Sequence, residues 1–178
     1  MKYKQKVKIR FGLSFILYLL FFPLLLHGKT TLVDIPNAIK IILDRNYPGW
    51  EMGTVSNEVA RFFKENKFKF LPILVSGDFD GDGRDDYAIK INFNGKWHAI
   101  VFLARGRDYK EYVLIAGGNA PDLDVYLFLY KKGEKGFNAE TIKHFIFQND
   151  VVEIRFFEKA SIAYIFQNGS FNKVLTSD

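Results

Sequence analysis

The sequence contains no cysteine. This absence excludes disulfide bonds and thiolate chemistry, and it excludes a cysteine-linked lipid anchor at the N-terminus. Small exported domains often depend on disulfides for stability. This chain must instead depend on its apolar core and on any ion that it binds.

Familiar catalytic motifs are also lacking. The sequence has neither a Gly-x-Ser-x-Gly nucleophile elbow nor a Gly-Lys-Ser/Thr phosphate loop. Its three histidines, His27, His98 and His144, do not have the spacing of metal ligands. Asp122 and Asp124 would suit an acid–base pair, but two aspartates in a loop usually face solvent or cap a turn. The sequence therefore favours a non-catalytic protein and names no catalytic residue.

A basic surface is lacking too, although the net charge is +5. The first 28 residues hold five basic side chains and no acidic one, so the other 20 basic residues balance the 20 acidic residues. Nucleic-acid-binding domains concentrate positive charge on one face. The sequence therefore does not predict a nucleic-acid partner.

The N-terminus has a basic segment followed by an apolar stretch at residues 11–26. This stretch is shorter than the roughly 20 residues that cross a bilayer, and it contains Pro23. The pattern is typical of a secretory signal peptide over residues 1–28. It predicts export to the periplasm or the medium. The alternative is an uncleaved N-terminal membrane anchor, which would be the protein's only contact with a membrane.

Residues 29–178 are predicted to form a single α+β domain. Apolar residues recur at helical spacing after Asp34, which can cap a first helix, and Ser56 is the expected N-cap of a second short helix. The rest predicts an antiparallel meander of about eight strands, with tight turns at Asn94-Gly95 and Asn168-Gly169.

One acidic segment stands out within this strand region. Asp78, Asp80 and Asp82 alternate, Gly83 follows them, and Asp86 comes four residues after Asp82. Calcium takes six to eight oxygen ligands, and alternating aspartates on a tight loop can all point inward. Five aspartates in nine residues, offset locally only by Arg84, repel one another unless a cation joins them.

The twelfth loop position distinguishes families of calcium loop. Counted from Asp78, it is Ile89 instead of the bidentate glutamate of helix–loop–helix sites. Strand-like sequences flank the loop, so residues 77–88 resemble the calcium hairpins of FG-GAP and VCBS repeats, known from integrin-like β-propellers. The chain has one such loop, and a propeller needs several blades, so a propeller is not expected. The resemblance implies a calcium ion (Ca²⁺) held by the side chains of Asp78, Asp80, Asp82 and Asp86 and the carbonyl of Arg84.

The wider layout is similar to small exported bacterial proteins of unknown function, which pair an early helix and a Tyr-Pro-Gly-Trp-like turn with one aspartate loop. The leading hypothesis is an exported, non-catalytic calcium-binding domain with a structural or protein-binding role, whose partner is an envelope or extracellular protein. The alternatives are a cell-envelope hydrolase with a calcium-stabilised loop and a secreted inhibitor or immunity-like protein.

The tryptophans and the basic residues that follow the loop are two further groups of side chains. Trp50 and Trp97 are expected in the core or in cross-strand pairs more than on an aromatic binding platform. A group of basic residues is expected to face solvent around the hairpin: Lys90, Lys96, Arg105, Arg107 and Lys110.

Overall fold

The computed structural model describes residues 34–118 and 122–176. They form two helices, α1 (Asn37–Asn46) and α2 (Asn57–Glu65), and eleven strands. The strands are β1 (Glu51–Met52), β2 (Leu74–Gly77), β3 (Asp86–Phe93), β4 (Lys96–Arg105), β5 (Asp108–Gly118), β6 (Val125–Tyr130), β7 (Lys135–Asn138), β8 (Lys143–Ile146), β9 (Val151–Phe156), β10 (Ala160–Gln167) and β11 (Ser170–Leu175).

The strands form three antiparallel sheets instead of one meander of about eight strands. In the first sheet β4 joins β3 to β5, and β1 and β2 lie one after the other along the opposite edge of β3. The second sheet has the order β11-β10-β9-β6, and β7 and β8 form a separate hairpin. The α+β class is confirmed. The single meander is wrong because β6 pairs with β9, with the β7–β8 hairpin inserted between them in the chain.

The two larger sheets pack face to face around one apolar core instead of repeating as propeller blades. Each strand alternates its side chains between two faces, so one face of each sheet can point inward. The first sheet contributes Val75, Ala88, Trp97 and Val101, among others, and the second contributes Val125, Leu127, Val152 and Ile154. Trp97 is a core residue, as expected.

The outer faces of both sheets are also covered. On the first sheet, Ile39 and Leu43 of α1 pack against Ile89 and Ile100. On the second, α2 covers one end and the β7–β8 hairpin covers the other. Successive layers are therefore α1, the first sheet, the second sheet, and a layer shared by α2 and the hairpin.

The two predicted helix caps have different outcomes. The hydroxyl of Ser56 accepts a hydrogen bond from the backbone N–H of Val59 at 3.3 Å, which confirms the cap of α2. Asp34 does not cap α1. The N-cap is Pro36, which makes no side-chain cap bond, and Asp34 instead accepts a hydrogen bond from Lys40 at 3.0 Å.

The two predicted Asn-Gly turns are confirmed. Asn94 and Gly95 both have positive φ angles, and they join β3 to β4. Asn168 and Gly169 do the same between β10 and β11. Two consecutive positive φ angles give the backbone twist that suits a two-residue hairpin.

The expectation that Lys90 faces solvent is wrong, because the residue is only 1 % exposed. Its ammonium donates hydrogen bonds to the carbonyls of Thr54 (3.0 Å), Asp122 (2.9 Å) and Val125 (2.6 Å). Burial lowers the pKa of Lys90 to about 8. The side chain leaves β3 on the face that meets the second sheet. It ties the segment at Thr54 and the segment at residues 122–125 to β3.

The predicted signal segment, residues 1–28 with its apolar stretch at 11–26, lies outside the described residues. Within the described part of the chain, neither helix has the length and apolar character that crossing a bilayer requires.

Candidate metal centre

The aspartate loop connects two paired strands. Gly77 at the end of β2 lies opposite Asp86 at the start of β3, so residues 78–85 form the loop. Gly81 and Gly83 have φ angles of +80° and +82°, a conformation in which a side chain is strained. The loop therefore depends on glycine at both positions.

Asp78 organises the first half of the loop. One carboxylate oxygen accepts a hydrogen bond from the N–H of Gly81 at 2.8 Å, and the other accepts from Gly83 at 3.0 Å. Bonds of this kind replace backbone partners in a segment that belongs to neither strand. They wrap the backbone around the Asp78 carboxylate.

Asp80 and Asp82 shape the second half in the same way. Asp80 accepts from the N–H of Asp82 at 3.2 Å, and Asp82 accepts from Arg84 at 3.0 Å. Each aspartate therefore fixes the position of the residue two further on. The alternating aspartates that predict a metal site thus also stabilise two consecutive turns.

Asp86 is fully buried at the base of the loop. One of its oxygens accepts a hydrogen bond from the N–H of Phe79 at 2.9 Å, and the other accepts from Ala104 at 2.7 Å. Phe79 is itself buried in the core between the sheets. Asp86 thus holds the loop to the end of β4 and fixes its own carboxylate in one orientation.

Three of the predicted ligands come together. Asp78, Asp80 and Asp86 each offer a carboxylate oxygen, and these three atoms lie within 4.8 Å of one another. Asp82 is not among these three carboxylates. The backbone carbonyl of Arg84 stays a predicted ligand. Asp85 lies outside this group and is exposed. An oxygen-only set with three negative charges suits a hard divalent cation.

Arg105 at the end of β4 reaches into the loop, which the sequence did not predict. Its guanidinium lies 2.6 Å from a carboxylate oxygen of Asp80 and 3.5 Å from one of Asp82. The hydrogen bond to Asp80 raises the pKa of Arg105. The expectation that only Arg84 offsets the acidic charge is therefore wrong. Arg105 is exposed, as expected, but nothing in its neighbouring sequence shows that this strand end faces the loop.

Asp150, before β9, also contacts the loop. Its carboxylate accepts hydrogen bonds from the N–H of Asp78 at 3.2 Å and from the ammonium of Lys131 at 2.7 Å. Although burial acts in the opposite direction, the bond from Lys131 holds the pKa of Asp150 below its ordinary value. Asn149 donates to the carbonyl of Phe79 at 3.4 Å. The loop is thus attached to the segment that leads into the second sheet.

Burial raises the pKa of Asp86 to about 6, from an ordinary value of 3.8. The bonds from Ala104 and Phe79 act against this shift, and the charges of Asp80 and Asp82 add to it. The folded state binds the proton of the Asp86 carboxyl group more tightly than the unfolded chain does. Protonated Asp86 therefore contributes stability below pH 3.8. That contribution is lost as the pH rises through about 6.

We expect the carboxyl carbon of Asp86 to titrate near pH 6 in chelator-treated protein. Carbon-13 NMR of the native protein would measure this midpoint directly. Asp150 serves as an internal comparison, since its midpoint should lie below 3.8. A midpoint for Asp86 near 3.8 would contradict the expectation and would mean that water reaches the carboxylate.

No family model, no curated protein and no solved structure matches this chain. The resemblance of residues 77–88 to FG-GAP and VCBS hairpins therefore stays a prediction from the motif. The three clustered carboxylates and the hydrogen bonds around them carry the argument for a metal site.

Proposed function

We propose that this chain is an exported calcium-binding domain without a catalytic role, in which the ion fixes the hairpin loop at residues 77–88. The observation that supports it best is the approach of the carboxylate oxygens of Asp78, Asp80 and Asp86 to within 4.8 Å. Three carboxylates at this separation repel one another, and a divalent cation turns that repulsion into attraction.

Arg105 balances part of this charge and sets a condition on ion binding. Its ion pair with Asp80 has to loosen when Asp80 turns its oxygen toward a cation. The guanidinium is partly exposed, so it can swing toward solvent at modest cost. The ion's net affinity is therefore lower than the number of carboxylates alone would suggest.

The role that we propose for the bound ion is structural. The loop touches β4 through Asp86 and the segment before β9 through Asp150, so fixing it restrains both sheets. A surface restrained in this way would suit a partner in the envelope or outside the cell. Export itself rests on the pattern of residues 1–28.

The proposal predicts that calcium raises the melting temperature and that a chelator removes the effect. At a calcium concentration 100 times the dissociation constant, the gain is about 2.7 kcal/mol, or roughly 5–10 °C for a domain of this size. Differential scanning calorimetry in calcium, in magnesium and in EDTA would measure it. Equal midpoints in calcium and EDTA would contradict calcium binding, and a larger shift in magnesium would assign the site to the smaller ion.

Two alternatives stay predictions from the sequence: a cell-envelope hydrolase and a secreted inhibitor. The hydrolase would be favoured by a cavity that joins Asp122, Asp124 or His98 to other polar groups. Asp124 does line a surface cavity of about 480 Å³ beside Arg61. His98 instead lies against the rings of Tyr47 and Phe93. The cavity beside Asp124 agrees with the hydrolase, but the non-catalytic function comes first because the three clustered carboxylates support a calcium ion and name no catalytic group.

A further inference from the structure

The outer face of the second sheet has a polar gap between its two apolar covers. At one end Val59 and Phe63 of α2 pack on Tyr126 of β6. At the other end Phe147, beside the β7–β8 hairpin, packs on Val151 of β9. Between these covers lies a cavity of about 310 Å³, at the lower end of the range for small-molecule sites.

The strand register lines up polar side chains along the floor of this cavity. Tyr126 of β6 lies opposite Arg155 of β9, and Arg155 lies opposite Ser161 of β10. Thr176 extends the row, because its N–H donates to the carbonyl of Ser161 at 2.8 Å. Side chains opposite one another on antiparallel strands share a face, so the row is a direct result of the pairing.

Arg155 is held firmly at the centre of the row. Its Nε donates to the carboxylate of Glu153, and its Nη2 donates to the hydroxyl of Tyr130 at 2.8 Å. The guanidinium carbon lies 3.7 Å from the ring centroid of Phe128. A planar cation fixed on three sides has few conformations to lose when it binds a ligand.

Glu153 is a charged residue that the fold buries completely, and it also accepts a hydrogen bond from the hydroxyl of Thr176. A buried ion pair is seldom more stable than apolar side chains of similar volume. Stability alone therefore does not explain why the Glu153–Arg155 pair is buried here. Orienting Arg155 toward the cavity is a further reason.

The charges around the cavity indicate a neutral ligand. Glu153 balances Arg155, and at the rim Glu158 stands next to Lys159. The guanidinium of Arg155, the hydroxyl-bearing side chains of Ser161 and Thr176 and the charged side chains of Glu158 and Lys159 all line the cavity. The lining thus offers both hydrogen-bond donors and acceptors with its charges balanced, which suits the vicinal hydroxyls of a sugar.

Two further hollows continue the cavity on either side. One, of about 480 Å³, shares Glu158 and Lys159 with it and is lined by Phe157. The other, of about 410 Å³, shares Tyr130 and Thr176 and is lined by Phe137 and His144. The result is an open groove with a polar centre and aromatic rings at both ends. Apolar ring faces suit the C–H faces of sugar rings.

We propose that this groove binds a linear neutral oligosaccharide, with one sugar ring seated on Arg155. An extended peptide fits less well, because peptide strands dock on free sheet edges and hydrogen-bond to the backbone there. The groove floor is the face of β6, β9 and β10, whose backbone groups already pair with one another. The floor therefore offers its hydrogen bonds from side chains, and these match hydroxyl groups.

The test is a titration of the isotopically labelled protein with cellotetraose, maltotetraose and chitotetraose, followed by backbone NMR. We expect at least one of the three to shift the amide signals of Arg155, Lys159 and Ser161 at millimolar concentration. Inorganic phosphate and an unstructured tetrapeptide are the comparison ligands. Running the titration in calcium and in EDTA separates it from the metal site, since the groove should bind in both.

Arg155→Lys should weaken binding of the responding sugar at least about tenfold, because lysine keeps the charge beside Glu153 but loses the planar Nη1 donors. Arg107→Lys, in an exposed turn of the first sheet, is the matched control and should leave the affinity unchanged. If Arg155→Lys does not fold, Lys159→Ala at the exposed rim takes its place, with an expected loss of about threefold.

The proposal is overturned if none of the three tetrasaccharides shifts signals in the groove. It is also overturned if phosphate or the tetrapeptide binds there more tightly than every sugar, or if the folded Arg155 variant keeps full affinity. In the peptide case the groove would be a protein-docking site.

Discussion

Replacing Lys90 with methionine is expected to lower the free energy of unfolding by about 3 kcal/mol. Methionine fills much of the same space but leaves the carbonyls of Thr54, Asp122 and Val125 without their shared donor. Each buried carbonyl without a partner costs about 1–3 kcal/mol, and removal of the buried charge offsets part of this. Urea denaturation followed by circular dichroism would measure the change.

The matched control is Lys96→Met, which alters an exposed lysine on the same β3–β4 hairpin and should change stability by less than about 0.5 kcal/mol. Hydrogen exchange gives a local readout. The N–H of Ser56 donates to the carbonyl of Leu123, between the segments that Lys90 holds, and it should exchange faster in the Lys90 variant. Equal stability of the Lys90 and Lys96 variants would show that Lys90 does not hold these segments together.

The double substitution Asp78→Asn with Asp80→Asn is expected to weaken calcium binding at least about 100-fold. It removes two of the three clustered charges, while each amide keeps one oxygen to accept the loop's hydrogen bonds. The fold should survive. The loop should loosen somewhat, because Asp78 accepts hydrogen bonds with both of its oxygens and asparagine has only one. Isothermal titration calorimetry would measure the affinity, and the calcium-dependent rise in melting temperature should vanish.

Asp85→Asn is the control for charge alone. It removes one negative charge from the same loop at an exposed position outside the cluster, so calcium affinity should fall by no more than about threefold. If Asp85→Asn weakens calcium as much as the double variant does, binding depends on diffuse charge, and the proposed site is wrong.

Features set by neighbouring residues were predictable from the sequence. The turns at Asn94-Gly95 and Asn168-Gly169 follow from residues that tolerate positive φ angles. The cap at Ser56 and the position of the aspartate loop between two strands are equally local. In each case the determining residues lie within a few positions of one another, so a pattern in the chain is enough.

Features set by distant pairing were not predictable. Nothing in β6 indicates that it pairs with β9 instead of β7, since both are short antiparallel strands. The burial of Lys90 depends on carbonyls more than thirty residues away. The pairing of Arg105 with Asp80 depends on where β4 ends relative to the loop. These contacts follow from topology, which single-sequence patterns do not encode.

The hydrogen bond between Asp78 and Asp150 joins residues 72 positions apart in the chain. Strands β2 and β3 can pair early during folding, since they are close in sequence. The loop between them makes its contact with Asp150 only after the segment before β9 has docked. Contacts between distant residues form late because closing the intervening chain costs entropy. An ion that prefers the completed loop therefore stabilises the native state more than the folding transition state, and it slows unfolding more than it speeds folding.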